Sequence, residues 1–310
     1  MKILVIFTGG TIGSTISGDY ISTDRDKPYV ILDKYNTKYP NSIEWDTVAP
    51  YTILSENVTC RTYGMLYKAV KEGLDKNYDG IIITHGSDTL QYSAAFLSLV
   101  LGNDTIPVML VSSNYVLEDE RANGMENFRC AVDFILNKRG RGVFIPYKNN
   151  GEGCRIHVPS KVLGHNPYSD DVFSIGGDYF GIYNGEVFSY GADCKMEYEK
   201  PLEPKVDFDK EETGVLKLLM HPGMAFPQSF EGIKSVLIQA YHGGTLCVES
   251  ELFQNFVKKA KEAGVSVYLV GANVETEYES CKEYESLGIR VLGQVSPVYA
   301  YMRLWLANIW

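Results

Sequence analysis

The stretch Gly80-Ile81-Ile82-Ile83-Thr84-His85-Gly86-Ser87-Asp88-Thr89 decides the architecture. Three consecutive isoleucines bounded by glycines read as a strand covered on both faces, because a strand with one wet face alternates polar and apolar residues. A helix over 61–76, with Met65, Leu66, Ala69 and Val70 on one side, precedes this strand, and a helix over 88–101 follows it. Pro107 to Val111 and Gly142 to Pro146 read as further strands, with a helix over 123–138 between them. Upstream, Lys2 to Phe7 is an apolar run that ends in a glycine turn. Strands alternating with helices imply right-handed crossovers and a mainly parallel sheet with helices on both faces.

The middle of the chain has a different texture. Asn149 to Tyr190 is rich in Gly, Asp, Asn and Tyr and reads as hairpins and loops. Glu197 to Glu212 carries two prolines and dense charge, the composition of a linker that buries little surface. Alternation then resumes. Strands are expected at 215–220, 236–239, 265–270 and 290–292, with a helix over 250–263. Ser296-Pro297 is a good helix start, since proline suits the first helical position and serine can cap it. The expected α/β chain therefore has a larger N-terminal catalytic domain (1–196), a linker (197–212) and a smaller C-terminal α/β domain (213–310).

Composition narrows the function classes. The 310 residues are 45% hydrophobic and 22% charged, which fits a folded globular chain. Lys plus Arg number 29 against 39 Asp plus Glu, a formal charge of −10 that repels phosphate backbones and anionic lipid. No nucleic-acid or membrane partner is expected. Six scattered cysteines with no C-x-x-C give no zinc-ribbon or redox pattern and fit a reduced compartment. The apolar start stops at Thr8-Gly9-Gly10, shorter than a signal-peptide core, and no stretch approaches the roughly 20 apolar residues of a membrane span. A cytoplasmic protein is the expectation.

In open parallel sheets, ligands bind at the carboxyl ends of strands. Two such ends carry hydroxyls and glycines: Thr8-Gly9-Gly10-Thr11-Ile12-Gly13 and Thr84-His85-Gly86-Ser87-Asp88-Thr89. Taken singly, the first reads equally as a plain glycine turn and the second as a helix cap. The first loop has neither the G-x-G-x-x-G spacing of a dinucleotide site nor a P-loop lysine.

Taken together, the two loops resemble the signatures of the bacterial-type L-asparaginase/glutaminase family, its cytoplasmic type I group in particular. Those signatures are a T-G-G-T-I segment after the first strand and a T-H-G-T-D-T segment after a later one. The resemblance implies hydrolysis of a side-chain amide through an acyl-enzyme, with L-asparagine as substrate and L-glutamine open beside it. It implies Thr11 as the nucleophile, assisted by a tyrosine on a nearby loop, for which Tyr20 is the first match and Tyr29 the second. Ser87 and Asp88 come from the second motif, with Ser87 standing where the family has threonine; the hydroxyl stays and a methyl is lost. Asp88 would accept a hydrogen bond from the substrate ammonium. Ser160-Lys161 matches the family's T-K pair, so Lys161 is expected beside a hydroxyl as a proton-transfer group.

Ser55, in Leu54-Ser55-Glu56-Asn57-Val58, fits the serine that holds the substrate carboxylate, and Glu56 could pair with the substrate ammonium. The segment Ser112-Ser113-Asn114-Tyr115-Val116 departs from the family's small-x-x-Arg-Pro pattern and offers Asn114 as a polar wall. Glu275, Glu277 and Glu279 lie where some relatives contribute a glutamate to the site of a neighbouring protomer, and His242 follows a C-terminal strand. No metal or organic cofactor is implied, and a homodimer or homotetramer is. Ser87, Glu56 and the altered third loop keep a second reading open, an amidase for another substrate or a non-catalytic amino-acid-binding protein on the same fold.

Overall fold

The computed structural model describes residues 1–17, 20–23, 29–40, 42–192, 199–272 and 278–307, with only the backbone described at 15–17 and 20–23. The chain divides into two compact units. The first comprises 1–202 with 207–211, and the second 203–206 with 212–310.

The first unit is built on an eight-stranded sheet. Its strands are β1 (Lys2–Phe7), β4 (Glu44–Val48), β5 (Gly80–Thr84), β6 (Val108–Val111), β7 (Val143–Lys148), β8 (Cys154–His157), β9 (Gly181–Asn184) and β10 (Val187–Tyr190). A separate hairpin joins β2 (Ser14–Ser17) to β3 (Tyr20–Thr23). The sheet order is β10-β9-β8-β7-β6-β5-β1-β4. The five strands from β4 to β7 run parallel, and β8 to β10 turn back antiparallel. The isoleucine strand lies inside: Ile81, Ile82 and Ile83 are all 0% exposed between β1 and β6.

Helices cover both faces. Ile3, Val5 and Phe7 of β1 share a core with Ile31, Leu32 and Tyr35 of α1 (Val30–Lys38) and with Phe128 and Ile135 of α4 (Gly124–Leu136). On the other face lies α2 (Cys60–Leu74), beside α3 (Leu90–Leu101). There Gly73 lies so close to Leu4 and Ile81 that a Cβ would collide with the leucine. The Thr59 side chain and Thr62 cap α2 reciprocally. The alternation of strands and helices thus matches the expected α/β plan. Absent from the sequence expectation are α1, β4 and the β2–β3 hairpin. The edge strand β4 reads Glu-Trp-Asp-Thr-Val, with no apolar run to mark it.

The second unit holds a four-stranded parallel sheet, β11 (Val215–Leu219), β12 (Ser235–Gln239), β13 (Ser266–Val270) and β14 (Ile289–Val291), in that order. α5 (Glu251–Glu262) and α6 (Glu283–Leu287) pack on Val236, Ile238, Val267 and Leu269. α7 (Pro297–Ala307) packs on Leu237, Tyr268 and Val270 from the opposite face. The Ser296 hydroxyl accepts from the Val298 N–H at 3.2 Å, as a capping serine does. No helix among the described residues is long and apolar enough to cross a membrane.

The described part of the expected linker is docked. The Leu202 N–H donates to the Leu99 carbonyl at 2.8 Å, and Phe208 lies against Gly64 and edge-on to Phe96, centroids 6.1 Å apart. Composition alone missed this, because one leucine and one phenylalanine suffice to fasten a charged segment.

His157, at the end of β8, is 1% exposed; its Nδ1 pairs with the Ser174 hydroxyl at 2.8 Å, and its Nε2 has no partner. Burial, with nearby Arg155, pushes its pKa down to about 3. The unfolded chain titrates this group near 6.5, so between those values it binds a proton the native state refuses. Stability is therefore full above about pH 6.5 and falls as the pH drops towards 3. Urea unfolding at pH 4.5 should show about 2–3 kcal/mol less stability from this group than at pH 7.5. An NMR titration in which His157 protonates near pH 6.5 in the native state would refute it.

Candidate active site

The first motif leaves β1 through two glycines in left-handed conformations, Gly9 at φ 99° and Gly10 at φ 76°. The Ile53 N–H donates to the Thr8 carbonyl at 3.1 Å, and the Gly10 N–H donates to the Ile53 carbonyl at 3.0 Å. The segment around Ser55 is thereby fastened along the motif. A Cβ on Gly9 would strike the Ile53 carbonyl. A Cβ on Gly10 would strike the backbone of Gly86, and one on Gly86 would strike the Ser55 side chain. The segment 8–13 thus touches both 53–55 and 85–87 backbone to backbone, with the Ser55 side chain against Gly86, and only glycine permits it. Thr11 and Ser87 are each the next residue after that contact. Both are half-buried, and neither hydroxyl is hydrogen-bonded to a described residue.

Buried polar groups hold this arrangement from beneath. The Thr8 hydroxyl donates to the Thr84 carbonyl at 2.7 Å, tying β1 to β5 where the two motifs begin. Burial pushes the Tyr51 phenol up, against the pull of the nearby Thr8 side chain. His85 is 1% exposed, and burial lowers its pKa. A neutral imidazole has one donor and one acceptor. Nδ1–H donates to the Gly86 carbonyl and Nε2 accepts from the Ser93 hydroxyl, both at 2.8 Å. The second loop is therefore locked to the second turn of α3 by a side chain to which the sequence reading gave no task. Its signal was the pairing of His85 with a serine eight residues on, inside a helix.

The polar side chains converge in part. The Ser55 hydroxyl, 5% exposed, donates to Asp88 Oδ2 at 3.3 Å, and the Thr89 hydroxyl donates to the Ser55 carbonyl at 2.9 Å. Asp88 itself is exposed, as is Glu56. Lys161 departs from expectation. It is not buried beside a hydroxyl; it is one-third exposed and donates to Asp178 at 2.6 Å. The Ile175 N–H bonds to the Lys161 carbonyl at 3.0 Å, and the tight turn that follows brings Asp178 to the ammonium. Asn114 is occupied as well: its side-chain oxygen accepts from the N–H groups of Tyr115 and Asn123, each at 3.0 Å. Tyr29 starts α1 and lies edge-on to Phe7 at 5.2 Å.

Tyr20 sits on β3, and its side chain lies outside the described residues, as do Glu275 and Glu277 entirely. Glu279 is exposed at the start of a short turn, and His242 is exposed in the turn that Tyr241 and Gly244 close. Among the described residues no group of three or more His, Cys, Asp or Glu side chains could hold a metal ion.

The glycine contact yields a stability test. Gly10→Ala combines a left-handed backbone with a collision against Gly86 and should cost roughly 3 kcal/mol or more in thermal unfolding. Gly13→Ala, three residues away with nothing within 4 Å, should stay within about 0.5 kcal/mol of the parent. Equal effects of the two changes would refute the contact.

This geometry can be set beside known proteins. The family described as Asparaginase, N-terminal, matches residues 2–178. A component of the glutamyl-tRNA(Gln) amidotransferase of Pyrococcus furiosus is 26% identical over 97% of this chain and 70% of its own length. The corresponding protein of Methanosarcina acetivorans is 31% identical over 56% of the chain, and the match spans 41% of that protein. The L-asparaginase of Thermococcus kodakarensis is 32% identical over 57% of this chain and 55% of its own length. Among solved structures, the thermostable L-asparaginase from Thermococcus kodakarensis superposes with a TM-score of 0.78 at 21% identity, covering 99% of this chain and 93% of that one. The matched region contains both strand-end motifs, Ser55, Asp88 and Lys161, and the chain belongs to the asparaginase family of amidohydrolases.

Proposed function

We propose that the protein hydrolyses L-asparagine to L-aspartate and ammonia through an acyl-enzyme on Thr11, with L-glutamine as the competing substrate. The observation that carries this reading is the backbone contact of Gly10 with Gly86, which starts the Thr11 and Ser87 side chains from one point at the carboxyl edge of the sheet. A hydroxyl nucleophile must be close to groups that handle its proton. Thr11 Oγ1 attacks the amide carbon, the carbon–nitrogen bond breaks, and the nitrogen leaves as ammonia once protonated. Water then cleaves the ester and regenerates the hydroxyl. Ser87 orients the attacking oxygen, Tyr20 assists the nucleophile, and Lys161 supplies positive charge from its pair with Asp178. Asp88, steadied by Ser55, holds the substrate ammonium, and Ser55 and Glu56 line the same end.

The reading extends to a homo-oligomer in the cytoplasm, needing neither metal nor organic cofactor. A second reading follows from the relatives named as amidotransferase components: an amidase whose ammonia serves a larger assembly. The net charge of −10 leaves contact with a nucleic acid to other chains of such an assembly.

Ammonia release separates the readings. The isolated chain should turn over free L-asparagine, whereas an assembly-dependent amidase should be nearly silent alone. Thr11→Ala should lose about a thousandfold or more in turnover while still binding L-aspartate. Ser87→Ala and Lys161→Met should each lose roughly a hundredfold. Full activity in Thr11→Ala would remove the nucleophile assignment.

A further inference from the structure

Ser55 lies against Gly86 of the second motif, and the two residues that follow Ser87 hold it at both ends. Its hydroxyl donates to Asp88 Oδ2 at 3.3 Å, and its carbonyl accepts from the Thr89 hydroxyl at 2.9 Å. Asp88 and Thr89 are consecutive, so the bonds close a ring. One residue of the β5–α3 loop accepts from the serine, and the next donates to it. Ser55 comes 34 residues before Thr89 and is buried, whereas Asp88 is exposed. The Gln91 side chain donates to the Asp88 carbonyl at 3.0 Å, which holds the Asp88 backbone to the first turn of α3.

Thr89 forgoes the ordinary duty of its position. It occupies the N-cap of α3, where a threonine hydroxyl commonly accepts from a backbone N–H of the first turn, and its side chain makes no such bond. Nor does the Ser55 carbonyl depend on the hydroxyl for a partner. It already accepts from the Val58 N–H at 3.2 Å, which closes the tight turn at Ser55–Asn57. A carbonyl oxygen has two lone pairs, and Thr89 takes the second. The hydroxyl therefore neither caps the helix nor rescues an orphaned group. What it does is tie the segment that carries Ser55 to the loop that carries Asp88.

We infer that Thr89 is a positioning residue, whose hydroxyl fixes Ser55 so that the serine hydroxyl can hold the Asp88 carboxylate ready for the substrate ammonium. The inference rests on the amidohydrolase reading of this site. An exposed carboxylate samples several rotamers, and binding must restore the productive one each time. A serine hydroxyl can prevent that wandering only if the serine is itself held in place. The Thr89 bond supplies that fixed point. Thr89 acts through Ser55 on Asp88, and its effect falls on binding, not on the attack by Thr11.

Two substitutions divide the side chain into its parts. Valine keeps the branched Cβ and removes the hydroxyl, whereas serine keeps the hydroxyl and removes a methyl. In Thr89→Val the Ser55 carbonyl is still paired with the Val58 N–H, so no buried group is orphaned and little stability is lost. A bond that served stability alone would show the reverse pattern, a lower unfolding temperature with unchanged affinity.

The test compares full-length wild type, Thr89→Val, Thr89→Ser, Ser55→Ala and the Ser55→Ala/Thr89→Val double variant. It measures KM and kcat for L-asparagine, calorimetric binding of L-aspartate, and thermal unfolding. Thr89→Val should raise KM and the L-aspartate Kd about tenfold, keep kcat within about threefold, and unfold within about 2 °C of wild type. Thr89→Ser should return KM and Kd to within about threefold of wild type. In the Ser55→Ala background, Thr89→Val should change Kd by less than about threefold, because the group it positions is already gone. A folded Thr89→Val with wild-type KM and Kd overturns the inference. So does a Thr89→Val effect on Kd that is as large without the Ser55 hydroxyl as with it, or a Thr89→Ser chain that binds as weakly as Thr89→Val. Should Thr89→Val fail to fold, Thr89→Ala takes its place, and failure of both beside a folded Thr89→Ser makes the bond structural and overturns the inference. A wild-type chain that binds L-aspartate without releasing ammonia overturns the catalytic reading, and the Kd comparison still judges Thr89. A wild-type chain that binds neither amino acid overturns both.

Discussion

The candidate site depends on the absence of two side chains. Gly10 and Gly86 meet backbone to backbone, with Ser55 filling the space beside them. Any Cβ at that junction would collide with the facing segment and force the first and second motifs apart. A left-handed turn at Gly10 then sends the chain into a single turn of tight helix at Thr11–Gly13, and Ser14 closes it by donating to the Gly10 carbonyl at 2.7 Å. Parallel strands deliver the segments to the same edge, but it is the missing atoms that let them converge. Beneath them, Thr8 and His85 satisfy the loop carbonyls, so the groups left over are the ones that face outward.

Much of this was legible in the chain because it was written in local patterns. The isoleucine run, the apolar start and the helical periods of α2, α3 and α4 each lie within a window of a few residues, and each forms the expected element. Thr11, Ser55, Ser87 and Asp88 were legible as motif positions. What escaped was determined by partners remote in sequence. Nothing near Lys161 announces Asp178, which only the fold of the intervening loop brings to it. His85 gains its meaning from Ser93. α1 has a weakly apolar sequence, Val-Ile-Leu-Asp-Lys-Tyr-Asn-Thr-Lys, and is a helix because Ile31, Leu32 and Tyr35 find α4 and the sheet.

The polar groups of the candidate site divide by exposure. Its carboxylate, Asp88, is exposed and shared with a serine, so it can exchange partners at little desolvation cost. Its buried polar groups are neutral: His85, whose pKa burial lowers, and hydroxyls bonded to backbone carbonyls. Positive charge is kept at one remove, with Lys161 held to Asp178.

The two units are interleaved along the chain. Residues 203–206 join the second unit, and 207–211 return to the first. There Phe208 covers Gly64 and Phe96, Asp209 pairs with Arg61 at 3.1 Å, and the Glu211 carbonyl receives the Cys60 thiol. A nascent polypeptide emerging from the ribosome therefore cannot finish its first half when Leu202 appears. The phenylalanine that seals it arrives six residues later, after part of the other half has been laid down, so translation itself must stagger the maturation of the two.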